Sequence, residues 1–174
     1  MKRTLSSLAL LCLLVSPLTQ ARSIPDPHQK HAPGNEAPQT PIAQAGYSNA
    51  TNYQLACAGC HLSNGMGSKS NDVPRMQGFV GNFLKVEGGR QFLVRVPGMS
   101  MSPLNDAQLA DMLNWLLRKD GMAGASMPAQ YTPYTGEEVA SIRHETLLNL
   151  PGTRAKLISA MRAQGIAITD GMGD

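Results

Sequence analysis

Two cysteines three residues apart, with a histidine directly after the second, constrain this chain more than any other feature: Cys57-Ala58-Gly59-Cys60-His61. On a helix, residues i and i+3 share a face, so both thiols point the same way with the imidazole beside them. The pattern predicts a short helix from Asn49 to Cys60, in which Tyr53 and Ala56 or Cys57 recur at helical spacing. Whatever fold forms must present this face to a partner group.

The third cysteine, Cys12, belongs to a different segment. Lys2 and Arg3 precede an apolar run from Leu5 to Val15, and Thr19-Gln20-Ala21 has the small-x-Ala form of a cleavage site. Residues 1–21 therefore read as an export signal, and the mature chain as periplasmic. The run is shorter than the roughly 20 residues a membrane span needs, and no later segment is as apolar, so no membrane span is expected. Cys12 lies inside the apolar run behind the bulky Leu11, which argues against a lipid anchor there. Without Lys2 and Arg3 the chain has 13 basic against 12 acidic residues, a balance that gives no reason to expect nucleic acid or an anionic membrane as partner.

Residues 22–45 hold five prolines among polar side chains and cannot bury enough surface to order themselves; they read as a disordered arm. Residues 46–121 read as the one compact domain. A second helix there has a clear start, with Asn105 as N-cap, Gln108 completing a capping box and Asp106 at the positive end of the dipole. Leu109, Met112, Leu113, Leu116 and Leu117 form its apolar stripe, and Gly121 can close it. Trp115 on this helix reads as core, packing near Tyr53.

Between the two helices the chain reads as loop-rich, with Phe79, Val80, Phe83, Leu84, Phe92, Leu93, Val94 and Val96 as apolar contacts but no core of its own. About 75 residues so composed are marginal on side chains alone. A large apolar prosthetic group would complete such a core. Residues 122–174 read as a helical C-terminal extension, one helix from Gly136 to Leu148 capped by Thr135 and another from Pro151 to Gln164.

In an oxidising compartment the Cys57–Cys60 pair must be occupied. Cys-x-x-Cys-His is the attachment motif of c-type haem: each thiol adds to a vinyl group as a thioether, and His61 becomes the proximal iron ligand. Zinc would want four ligands, yet only His28, His31 and His144 remain as further histidines, none in a paired motif. A redox disulfide of thioredoxin type belongs in a strand–helix–strand context that is missing around this pair.

The segments Asn52–Gly67, Val73–Gly81 and Met101–Leu117 follow one another in an order that resembles the class I c-type cytochromes of bacterial periplasms: attachment helix, glycine loop, proline turn, methionine loop, closing helix. The resemblance implies a mainly α fold, a small helical domain wrapped around one covalent haem c. It also implies that Pro74 offers its carbonyl to the Nδ1–H of His61, a bond that orients the ring and raises its basicity. It places the sixth iron ligand on the loop before the closing helix, at Met99 or, as the next choice, Met101. Met76, His144 or an open position are the other possibilities, and Met112 reads as core.

A His/Met pair favours reduced iron and suits electron transfer. The resemblance implies a carrier of single electrons, not an enzyme. Its redox protein partners would be a periplasmic dehydrogenase, such as a quinoprotein, and an oxidase or another cytochrome. Two alternatives remain: the haem subunit of a larger dehydrogenase complex, or a ligand-binding haem protein with an open sixth position.

Overall fold

The computed structural model describes residues 46–168. The export signal, the proline-rich arm with His28 and His31, and residues 169–174 lie outside the described residues. Among those described the architecture is mainly α, and the one piece of extended pairing is an isolated antiparallel bridge between Ser68 and Val73.

Helix α1, Asn49–Ala56, begins at Ser48, whose Oγ accepts the backbone N–H of Thr51. It does not run through to Cys60. Cys57 leaves helical geometry at φ −122°, and a separate single turn, α2, Ala58–His61, follows. Gly59 is a poor helix former, and the amides of Cys60 and His61 both turn back onto the Cys57 carbonyl. Cys57 is thus at a junction and Cys60 inside the next turn.

The middle of the chain is more ordered than its composition suggests. A 3-10 segment, Val80–Lys85, leads into α3, Gly89–Arg95, and α4, Pro97–Ser100. Phe79 meets Phe83 edge-on with centroids 5.7 Å apart, and Phe83 stacks on Phe92 at 4.9 Å, all three buried. This is a side-chain core that the sequence reading did not anticipate. Its two rows are close because Gly89 lies directly against the backbone of Phe83, where any Cβ would collide. In α3 the buried Phe92, Leu93 and Val94 are consecutive, between the exposed Gln91 and the half-buried Arg95, so this seven-residue helix shows no amphipathic period and pattern alone missed it.

Helix α5, Asp106–Leu116, has the expected capping box in full: the Gln108 amide donates to Asn105 Oδ1, and the Asn105 amide to Gln108 Oε1. Its stripe of Leu109, Met112, Leu113 and Leu116 is buried. Trp115 packs on Tyr53 of α1, ring centroids 5.9 Å apart.

Residues 122–168 share that core: Met127, Tyr134, Val139, Leu157, Ile158 and Met161 are buried in the same cluster. Helix α6, Gly136–Ile142, lies along α5 with Gly136 against Ala107. It is shorter than the expected run to Leu148. The carbonyls of Glu145 and Thr146, just past its end, accept hydrogen bonds from Arg95 of α3. Helix α7, Leu150–Ala163, starts on an Asn149 cap with Pro151 in its first turn. It ends in a left-handed Gly165.

Candidate functional site

The loop after α2 is built to deliver one carbonyl. Leu62 takes φ 63°, and the chain reverses through Gly65 and Gly67. The Gly67 amide donates to the His61 carbonyl, and Ser68 pairs with Val73 through two bonds of 2.9 Å. Met76 and Gln77 donate back to the Gly65 carbonyl. Gly67, at φ 69°, lies against the carbonyls of Val73 and Pro74, so only a residue without a side chain fits there. Closed in this way, the loop sets the Pro74 carbonyl 3.2 Å from His61 Nδ1.

That contact defines the histidine. With Nδ1–H donated to Pro74, the neutral ring presents Nε2 as a lone-pair donor. Burial pushes the His61 pKa below its ordinary value, and the bond to Pro74 opposes this in part. Tyr53 braces the same turn by donating its hydroxyl to the Leu62 carbonyl at 2.7 Å. Burial above all, and then the neighbouring Cys57, raise the Tyr53 pKa to about 12.

Cys57 and Cys60 are free thiols, the first half-buried and the second exposed. Burial, and after it the proximity of Cys60, pushes the Cys57 thiol up, so it is protonated at neutral pH. Among the described residues no three His, Cys, Asp or Glu side chains gather as a metal site. Two available thiols beside an imidazole with one nitrogen committed to a carbonyl form a donor set that fits a covalently held haem.

The candidate sixth ligands have distinct settings. Met99 is half-buried on α4 and packs against the core cluster, whereas Met101, at the C-cap of the same turn, is 82% exposed. Met76 is half-buried after the proline turn, Met112 is wholly buried in α5, and His144 is exposed. The structure thus brings Pro74 onto His61 and separates Met99 from Met101 by burial.

Sequence reasoning missed three arginines that join residues 90–106 to the segment after Gly121. Arg90 forms a fork with Glu138, donates to the Thr132 and Pro133 carbonyls, and stacks on Tyr134 at 3.9 Å. Arg95 holds Glu145 and Thr146. Arg143 is only 7% exposed and donates to Asp106 and to the carbonyls of Ser100, Ser102 and Leu104. A signal for the last was present: Arg143 is four residues after the buried Val139, which puts it on the inward face of α6.

No protein-family model matches the chain. Two proteins named cytochrome c-552, one from Thermus thermophilus and one from a particular strain of the same species, are each 32% identical to it over 109 residues. The match covers 52% of this chain and, respectively, 81% and 72% of those relatives. With the helical architecture and the Cys-x-x-Cys-His geometry, this places the chain in the class I c-type cytochromes, electron-transfer proteins whose prosthetic group is covalently bound haem c.

Proposed function

We propose that this chain is a periplasmic monohaem carrier that takes one electron from a dehydrogenase, such as a quinoprotein, and passes it to an oxidase or another cytochrome. The observation that carries the reading is the His61 Nδ1 contact with the Pro74 carbonyl beside two free thiols. Cys57 and Cys60 would hold the haem as thioethers, each thiol adding its sulfur to one vinyl carbon and its proton to the other, so that no oxidant is needed. His61 would offer Nε2 to the iron, and Pro74 holds the ring in that orientation.

Met99 would offer its thioether to the iron; its half-burial against the core suits a ligand kept from water, while Met101 faces solvent. The bound haem supplies a one-electron iron couple. Were the iron held by His61 and Met99 together, no position would be left for substrate, and the protein would act as a carrier and not an enzyme. The segment read as an export signal supports the periplasmic location. Among the described residues no helix is long and apolar enough to cross a membrane.

The test is the methionine–iron charge-transfer band of the oxidised holoprotein. The band is expected to disappear in Met99→Ala and persist in Met101→Ala. The reverse pattern would move the ligand to Met101. Rapid carbon monoxide binding by the reduced, unaltered protein would favour an open sixth position, and copurification of a stoichiometric large subunit would favour a complex.

A further inference from the structure

The guanidinium of Arg143 is aimed at the segment that carries both candidate methionines. Its Nη2 donates to the carbonyls of Ser100 at 3.3 Å and Ser102 at 2.9 Å; its Nη1 donates to the Leu104 carbonyl and to Asp106 Oδ1, both at 2.9 Å. The three carbonyls come from alternate residues of one short stretch, which begins directly after Met99 and ends at the capping box of α5. All these bonds come from the two terminal nitrogens, while Nε is buried without a hydrogen-bond partner among the described residues. The group is oriented toward the loop at the expense of satisfying itself.

Arg143 is itself held from the other side. It sits at the C-cap of α6, and the residues just after it, Glu145 and Thr146, are tied to Arg95 of α3. Arg95 is two residues before Pro97, where α4 and Met99 begin. The methionine turn is therefore clamped at both ends by two arginines that run in opposite directions between it and the C-terminal extension. Arg143 donates to carbonyls of the turn and Arg95, just before it, to carbonyls of the extension, and two such charge-assisted anchors resist its movement more than one packed side chain can.

We propose that Arg143 is a positioning residue for the distal iron ligand, holding the 99–104 segment so that the methionine sulfur stays on the iron when the oxidised protein meets competing ligands. The proposal rests on the reading above that the ligand comes from Met99 or its neighbour Met101. Only a planar fork can span the Ser100, Ser102 and Leu104 carbonyls together, so lysine at this position keeps the charge and the Asp106 pair but loses the span.

The experiment uses the oxidised holoprotein, with exogenous imidazole as the probe, since imidazole reaches the iron only when the methionine leaves. In Arg143→Lys, imidazole binding is expected to be about tenfold faster or more. The charge-transfer band is expected to be lost at a temperature well below that of the far-ultraviolet helical signal. An unchanged imidazole rate and coincident band and helix melting in folded Arg143→Lys would overturn the proposal. Should that variant fail to fold, Asp106→Asn, which loosens one end of the fork, must show a faster rate for the proposal to stand, and an unchanged rate overturns it. Met99→Ala and Met101→Ala distinguish the failures: a band retained in both overturns the ligand reading itself, whereas a band lost in either, with a normal imidazole rate in the Arg143 variant, overturns only the role of Arg143.

Discussion

Gly67 shows how much a single residue contributes to the proximal side. Its φ of 69° and its closeness to the Val73 and Pro74 carbonyls leave no room for a side chain. Gly67→Ala is expected to destabilise the folded protein by about 1–3 kcal/mol, read by denaturant unfolding. It is also expected to raise the reduction potential, because a His61 ring without its Pro74 bond is a weaker donor to oxidised iron. Tyr53 adds a pH limit. Its ordinary pKa near 10 is raised to about 12 in the folded chain, so between those values the unfolded chain has lost a proton that the folded chain still holds. Stability from this residue is intact below about pH 10 and falls as pH rises toward 12. A stability–pH profile should show this decline, and Tyr53→Phe should reduce it.

At the level of elements, legibility followed periodicity and side-chain chemistry. The capping box of α5 and its buried stripe could be read in advance because Asn105, Gln108 and Leu109 to Leu116 carry local signals that tertiary context did not override. Asn105→Ala is expected to cost about 1 kcal/mol in chemical denaturation. Helices α3 and α6 were less legible for opposite reasons. The buried Phe92, Leu93 and Val94 of α3 are consecutive and too few to show a period, and past the end of α6 the chain is held by Arg95 donating to the Glu145 and Thr146 carbonyls, a tertiary contact that no local signal announces. The break at Cys57 was hidden because the i, i+3 spacing of the cysteines suits a continuous helix, and a lone glycine weakens a helix without marking where it stops. Cys57, Cys60 and His61 are proposed as the site from their spacing, and the contact of His61 with Pro74 was implied by the resemblance alone; the arginine contacts required the tertiary structure.

Across the described residues, the segment after Gly121 is joined to the haem-motif region by a shared core and by paired arginines, which makes one cooperative unit the physical expectation. Arg90→Ala removes the Glu138 fork, two carbonyl bonds and the stack on Tyr134, and is expected to cost about 2 kcal/mol. In the unaltered holoprotein, far-ultraviolet and haem absorbance should report coincident denaturant transitions, and two separated transitions would show that the extension folds independently. If both iron ligands come from the chain's own side chains, spectroelectrochemical titration of the holoprotein under carbon monoxide gives one one-electron wave between two low-spin six-coordinate forms, unaltered by the gas; a high-spin reduced form that binds carbon monoxide rapidly would mean an open iron position and no such carrier.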